Sequence, residues 1–192
     1  MKPLDRLLQR WRFAAAMKFI PPGARVLDVG CHQGELFVLL GNRVRGGVGI
    51  DPLVTGLIGL SGVQIVRGQF PEDLPAGEGF EVITALAVIE HVPTDGLKPF
   101  LLACRSWLKP GGRLVATVPS PMVDGLLLWL RRLGLVSGMS LEEHHGFRPG
   151  DLPAAAAAAG FGVATWRRFQ LGLNNVFVLV PDGVSKGLRL PP

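Results

Sequence analysis

The residues best suited to bind a ligand form a glycine-bounded turn near the N-terminus. In the segment VLDVGCHQGEL, Gly30 and Gly34 flank a short stretch that directly follows an apolar run. Glycine at the end of a strand lets the backbone approach a ligand closely, and a second glycine permits the turn into a helix. A dinucleotide fingerprint G-x-G-x-x-G opening at Gly30 is not met, because His32 and Glu35 replace its second and third glycines. A pyrophosphate ligand therefore fits this turn poorly.

A carboxylate follows at the end of the next apolar run, in the segment GIDP. Asp51 lies roughly 20 residues after Gly30, the spacing at which an acidic residue accepts hydrogen bonds from ribose hydroxyls. Asp51 could equally be the N-cap of a helix that begins at Pro52 and Leu53. Taken together with the glycine turn, the pattern favours a ribose ligand.

Four histidines could accept a proton from a reacting group. His91 follows Glu90 directly after a long apolar run, and is a candidate base or substrate contact. The alternative for His91, equally weighted, is a helix-start histidine bonded to the backbone. His144 and His145 follow two glutamates and could complete a substrate site or even a metal site, although such charged stretches are more often solvated loops.

A fold in which strands and helices alternate along the chain would position these residues, and the sequence pattern predicts such an order. The expected strands are residues 25–30, 47–51, 63–67, 80–87, 113–118, 163–169 and 176–180. The expected helices are residues 4–20, 34–40, 53–60, 96–108 and 151–160. Alternating strands and helices predict an α/β fold with a mainly parallel sheet and right-handed crossovers. Ligands of such sheets bind beyond the carboxyl ends of the strands.

Composition narrows the class of protein. The chain has 192 residues, of which 48% are hydrophobic and 18% charged, which is enough for one domain with a sizeable core. No membrane span or signal peptide is expected, and the two cysteines match no metal or disulfide pattern, so we expect a reduced cytoplasmic protein. The net charge of +5 is spread along the chain without a dense basic block. We therefore expect no nucleic acid partner.

Four segments in order resemble the motifs of the class I S-adenosylmethionine-dependent methyltransferases. These segments are VLDVGCHQG, VGIDP, FEVITALAVIEHV and LKPGGRLVATVPS, and the later HHGFRPGDLPAAAAAAGF resembles the helix that precedes the last two strands. The resemblance runs from about residue 25 to 160 and is to the small bacterial branch that includes ubiquinone-type and methionine-biosynthesis-associated methyltransferases. It implies a Rossmann-like, mainly parallel seven-stranded sheet with helices on both faces and an antiparallel C-terminal strand.

The resemblance also implies site residues. S-adenosylmethionine would be the cofactor and S-adenosylhomocysteine its product. The methionine end would lie against Asp28, Gly30, Cys31, His32 and Gly34, the ribose on Asp51 and the adenine beside Pro52. Gln69 and Phe70 occupy the place of the family's usual acidic adenine contact. Leu86 and Ala87 would face the sulfonium, although the side chains from Leu86 to Ile89 are more simply explained as core.

The resemblance implies methyl transfer to an oxygen or nitrogen, less readily to carbon, by direct displacement. Positioning supplies most of the catalysis in such a reaction, and a histidine base would take the proton. Some relatives hold a divalent metal with E-x-x-E-H, but Ala87 stands in the first position here, so we predict no metal. The acceptor remains open among small molecules, glycans and quinone-like lipids.

A single domain is expected, with an insertion at residues 121–146 and a loose tail at 181–192. The apolar stretch from Met122 to Val136 predicts a lid over the acceptor, a dimer face or an interfacial helix too short to span a bilayer. We expect a monomer or homodimer without stable membrane insertion. The main alternative function is a non-catalytic module acting through the insertion. An NAD-dependent reductase is disfavoured, since the chain contains no tyrosine.

Overall fold

A computed structural model describes residues 3–56, 59, 61–120 and 147–183. The expectations for the insertion at residues 121–146, and for the tail beyond residue 183, lie outside the described residues.

Seven strands form one mixed sheet. They are β1 (Arg25–Val29), β2 (Gly46–Asp51), β3 (Val63–Arg67), β4 (Phe80–Leu86), β5 (Leu108–Pro119), β6 (Phe161–Phe169) and β7 (Asn174–Pro181). The order across the sheet is β3-β2-β1-β4-β5-β7-β6. The strands from β1 to β5 are parallel, whereas β7 runs antiparallel to both β5 and β6. The predicted fold class, including its antiparallel C-terminal strand, is confirmed.

Helices cover both faces of this sheet. They are α1 (Pro3–Met17), α2 (Glu35–Leu40), α3 (Thr94–Trp107) and α4 (Leu152–Ala158). Side chains of α1 and α2, including Phe13 and Phe37, share one buried cluster with Val26 of β1. Side chains of α3 and α4, including Leu101, share the other cluster with Ile83 of β4. Because the central strands are covered on both sides, they are continuous apolar runs and not alternating ones.

One predicted helix does not form. Residues 53–60 were expected to be helical, but among the described residues of that range the chain makes only a turn and irregular backbone. The reason is competition from a tertiary contact: the side chain of Gln33 binds Thr55 Oγ1 at 3.0 Å and accepts the Gly56 N–H at 3.2 Å. That N–H is the one a continuing helix would have used.

Boundaries shift by a few residues elsewhere. β5 begins at Leu108, five residues before the predicted start, because Leu108 pairs with Phe80 of β4; the segment KPGG is an irregularity, and regular pairing resumes at Arg113. α3 begins at Thr94, just after Pro93, whose extended backbone precedes the first turn. No helix within the described ranges is long and apolar enough to cross a membrane.

Candidate functional site

The site lies where the strand order reverses. β1 and β4 are parallel neighbours, and the chain proceeds from β1 toward β2 on one side and from β4 toward β5 on the other. Connections leaving the two strands in opposite directions open a crevice at their carboxyl ends. The glycine turn follows β1, and the segment that contains His91 follows β4. The sheet therefore brings two distant sequence motifs to one crevice.

Only glycine fits at the first position of the turn after β1. Gly30 has φ +72°, and a Cβ there would lie 2.5 Å from Cγ2 of Val88, which belongs to the segment after β4. Its N–H donates to the carbonyl oxygen of Ile50 at 2.9 Å, so the turn is held against β2. Gly34 has φ +87° at the start of α2. The two glycines thus allow the sharp turn that was predicted, while their approach to a ligand stays a prediction.

Asp51 joins the end of β2 to this turn. Its Oδ2 accepts the backbone N–H of His32 at 2.8 Å, and its Oδ1 accepts the N–H of Leu53 at 2.7 Å. The helix-cap alternative is wrong for the described residues 52–56, in which Asp51 caps a turn and no helix begins. Each carboxylate oxygen has two lone pairs, so each retains one for a ligand hydroxyl. Pro52, the predicted adenine neighbour, lies exposed beside it.

His32 lies exposed on the turn, with φ +50°. Its Nδ1 lies 2.7 Å from Oε1 of Glu35, whose other oxygen accepts the N–H of Gln33 at 3.1 Å. Glu35 therefore holds two adjacent residues in the middle of the turn. The sequence analysis did not single out Glu35, although an acidic residue in the first turn of a helix is a recognisable signal.

Asp28 is buried inside the sheet, with only 3% of its surface exposed. Burial raises its pKa to about 7, against the opposing effect of a 2.6 Å hydrogen bond donated by Thr84 Oγ1, and the nearby carboxylates of Glu35 and Asp51 add to the rise. Three acidic groups therefore lie close enough to influence one another at this end of the sheet. Such a cluster favours a cationic ligand.

Cys31 belongs to the turn, and its side chain packs against β2. Its side chain is buried, and a Cβ added to Gly49 of β2 would lie 2.8 Å from its Sγ. Burial and the neighbouring carboxylates of Asp28 and Asp51 raise the pKa of the thiol. The residue is therefore a packing element that stays in the thiol form, and not a nucleophile.

The turn after β3 adds a carboxylate that the sequence analysis missed. The N–H of Gly68 donates to the Asp51 carbonyl oxygen at 3.3 Å, which places this turn beside Asp51. Gln69 is exposed, and its N–H donates to Oδ2 of Asp73 at 2.8 Å. Phe70 is half-buried, with its ring 5.6 Å from that of Phe100 in an edge contact. Asp73, four residues beyond Gln69, thus brings an acidic group to the place where the motif lacks one.

At the end of β4, some side chains are buried in the core and others belong to the candidate site. Leu86 and Ile89 are buried in opposite clusters, which confirms the core interpretation for these two side chains. Ala87 between them is half-buried and adopts φ +60°, an unfavourable conformation for a residue with a Cβ. Its N–H donates to both the carbonyl oxygen, at 3.1 Å, and Oγ1, at 3.0 Å, of Thr117 in β5. Strained backbone held in this manner is typical of functional sites.

Glu90 and His91 lie on a short 3₁₀ turn (Ile89–His91) at the mouth of the crevice. His91 is half-buried, and its backbone N–H donates to the Val88 carbonyl oxygen at 2.9 Å. Glu90 is buried, and burial raises its pKa to about 7 although Arg12 of α1 opposes the shift. α1 therefore contributes a charged group to this edge.

His144 and His145 lie outside the described residues. Within the ranges that the structure does describe, no group of three or more His, Cys, Asp or Glu side chains is placed to hold a metal ion.

Comparison with known proteins agrees with this geometry. The family model described as a methyltransferase domain matches residues 2–165. The ubiquinone biosynthesis O-methyltransferase of Nitrobacter winogradskyi is 35% identical over 139 residues, covering 61% of this chain and 51% of the relative. The enzyme of the same name from Xanthomonas axonopodis is 40% identical over 124 residues, covering 59% and 50%. The chain thus spans about half the length of the curated relatives it matches.

Solved structures share the fold. The O-methyltransferase NcsB1 from neocarzinostatin biosynthesis, in complex with S-adenosylmethionine and 2-hydroxy-5-methyl naphthoic acid, superposes with a TM-score of 0.64 at 21% identity, covering 93% of this chain and 55% of that one. The family match, the sheet order and the crevice agree with the motifs read from the sequence. The chain therefore belongs to the methyltransferase domain family, in its class I, S-adenosylmethionine-dependent branch.

Proposed function

We propose that this chain transfers the methyl group of S-adenosylmethionine to a hydroxyl oxygen of a small aromatic acceptor. The observation that supports this most directly is the geometry of Asp51. Its carboxylate is oriented by two backbone N–H groups and retains a lone pair on each oxygen, which suits the two adjacent hydroxyls of a ribose.

The surrounding residues fit the rest of the cofactor. The acidic cluster of Asp28, Glu35 and Asp51 suits a ligand that carries a sulfonium and an ammonium group. Gly30 permits the sharp turn that places the backbone at the crevice, and the turn of Gly68 to Asp73 offers polar groups for an adenine. S-adenosylmethionine, when bound, supplies a methyl carbon with a strong leaving group.

The protein's own contribution to the chemistry would be positioning and proton removal. Ala87 and the 3₁₀ turn after it form the wall where an acceptor would meet the methyl group. His91 would accept the hydroxyl proton of the acceptor as its oxygen bonds to the methyl carbon and the carbon–sulfur bond breaks. Correct alignment of the reacting atoms is worth on the order of 7–11 kcal/mol, so no covalent intermediate is needed.

An oxygen acceptor is supported by the names of the relatives, which are O-methyltransferases, and an aromatic one by the naphthoic acid bound to the structural neighbour. A nitrogen acceptor, a glycan or a lipid-linked acceptor remains the competing outcome of the test below.

The test combines binding with product analysis. Calorimetry should detect binding of S-adenosylmethionine and S-adenosylhomocysteine but not NAD. Mass spectrometry should then detect a methyl ether after incubation with catechol or 2-hydroxy-5-methyl naphthoic acid, and no product with a hexose or a primary amine. Folded protein that binds neither adenosyl ligand would refute the proposal. Binding without any methylated product would favour a non-catalytic module.

A further inference from the structure

The connection between β6 and β7 presents a leucine to solvent in a strained conformation. Leu171 is 92% exposed, and it lies in the short turn Gln170–Gly172. Gln170 and Leu171 both have positive φ, at 50° and 57°. Consecutive left-handed residues with a Cβ persist only where the surrounding structure holds them. Other contacts therefore hold the turn in this conformation, and the side chain that the turn exposes is apolar.

Buried polar bonds supply those contacts. Gln170 is buried; its Nε2 donates to the Leu8 carbonyl oxygen of α1 at 2.7 Å, and its Oε1 accepts from Asn174 Nδ2 at 2.8 Å. Ser120 Oγ donates to the Gly172 carbonyl oxygen at 2.7 Å. The turn is thus fixed against the middle of α1 and against the end of β5.

The adjoining face of α1 is both apolar and basic. Leu7 and Trp11 lie one helical turn apart and are 58% and 44% exposed. Arg6 and Arg10 are exposed beside them with the same spacing. The single acidic residue of α1, Asp5, is half-buried. Large exposed apolar side chains grouped together mark an interaction surface, and the arginines define its charge.

The edge strand β6 extends the same charge. Arg167 is exposed and lies on the face of the sheet that carries Phe169, because side chains alternate along a strand. Phe169 packs against the cluster that α1 covers, so Arg167 is on the α1 side. No acidic residue occurs from Phe161 to Pro181.

We propose that this protein docks on an anionic lipid surface through a patch that we call the Leu171 surface. The patch consists of Arg6, Leu7, Arg10, Trp11, Arg167 and Leu171. Leucine and tryptophan enter the boundary between headgroups and acyl chains, while arginines meet anionic headgroups. Exposed leucine and tryptophan side chains grouped with exposed arginines match a surface that has an apolar layer beneath anionic headgroups. Because the turn is fixed, the Leu171 side chain stays exposed to solvent, and less conformational entropy is lost on docking.

The position of this surface relates it to the candidate site. Asn174, the first residue of β7, pairs with Pro119 at the carboxyl end of β5, so the turn lies at the same edge of the sheet as the crevice. A lipid surface at this edge would face the opening through which an acceptor enters. The docking proposal does not depend on the acceptor class, because its test needs no turnover.

The test is flotation of the full chain with vesicles of phosphatidylcholine alone, or containing about one third phosphatidylglycerol. The wild type should bind the anionic vesicles, and binding should weaken as salt is raised. Leu171→Asn removes the apolar group but tolerates the left-handed conformation, and should weaken binding roughly tenfold or more. Arg6→Gln with Arg10→Gln should weaken it about thirtyfold, at roughly fivefold for each arginine.

The matched control is Lys98→Gln with Leu102→Asn, an exposed basic and apolar pair one turn apart on α3, which covers the opposite face of the sheet. It should bind like the wild type, and thermal unfolding should show every variant folded. Absence of wild-type flotation with anionic vesicles, or equal loss in the control, would overturn the proposal. A wild-type dimer that Leu171→Asn converts to monomers, without vesicle binding, would assign the surface to contact between two copies.

Discussion

The hydroxyl of Thr84 in β4 donates a 2.6 Å hydrogen bond to Oδ1 of Asp28 in β1, and both side chains are buried. The bond stabilises the ionised carboxylate, yet burial outweighs it and raises the pKa of Asp28 from its ordinary value of 3.8 to about 7. The pair therefore places a carboxyl group that titrates near neutrality beneath the glycine turn.

The first prediction concerns pH. Between about pH 4 and pH 7 the folded protein holds a proton on Asp28 that the unfolded chain has lost, so the free energy of unfolding falls as pH rises through this window. Above about pH 7 the folded carboxylate is ionised and the destabilisation is complete. Asp28→Asn should therefore match the wild type only below about pH 4 and exceed it at pH 8 by up to about 4 kcal/mol in urea unfolding. Lower stability of the variant at pH 8 would contradict the raised pKa.

The second prediction concerns the ribose contact. Asp51→Ala should weaken binding of S-adenosylhomocysteine by about 30- to 1000-fold, since two charge-assisted bonds worth roughly 2–4 kcal/mol are lost. Its melting temperature should also fall, because the N–H groups of His32 and Leu53 lose their acceptor. Asp51→Asn should lose less affinity by calorimetry. Unchanged affinity with a lower melting temperature would show that Asp51 only closes the turn.

The third prediction compares alanine substitutions at Gly111 and Gly30, in order to separate the cost of backbone strain from the cost of a steric clash. Gly111→Ala has φ +79° and no heavy atom within 4 Å of the added Cβ, so it should cost only about 1–2 kcal/mol of strain. Gly30→Ala has a similar φ but also meets Val88, and should cost about 2–5 kcal/mol and abolish cofactor binding. Urea unfolding and calorimetry measure both effects. Equal cost at the two positions would show that Val88 moves aside freely.

The fourth prediction concerns Thr117, which holds the strained Ala87. Thr117→Val keeps the volume but removes the hydroxyl acceptor, so we expect kcat to fall about ten- to a hundredfold through misplacement of the crevice wall. Cofactor affinity should change little. Thr117→Ser retains the hydroxyl and should restore most of kcat, whereas a role in packing alone would make Ser the poorer substitute.

The fifth prediction tests His91 as the base. His91→Gln should lower kcat about a hundredfold or more with catechol, while binding of S-adenosylhomocysteine is unchanged. A nitrocatechol, whose hydroxyl is already ionised near neutral pH, should lose much less. Equal losses with the two acceptors would show that His91 positions the acceptor and does not take its proton.

Much of the fold and part of the site were predictable from local patterns. Strand and helix types followed from apolar periodicity, as in the buried run of β4, and the glycine turn followed from Gly30 and Gly34. The prediction of a helix at residues 53–60 was wrong because the side chain of Gln33, distant along the chain, accepts a hydrogen bond from the backbone N–H of Gly56. No local pattern signals that contact.

The sequence by itself determined the order of strands and helices, the family, and the residues at the ends of β1, β2 and β4. These features are local, since they depend on periodicity and on the conformations open to glycine and proline. Only the tertiary structure decided which groups meet: Thr84 with Asp28 across 56 residues, and Gln170 with Leu8 across 162. Such contacts depend on the strand order, which places residues distant in sequence side by side and removes water from between them, thereby setting the pKa of Asp28 and the exposure of Leu171.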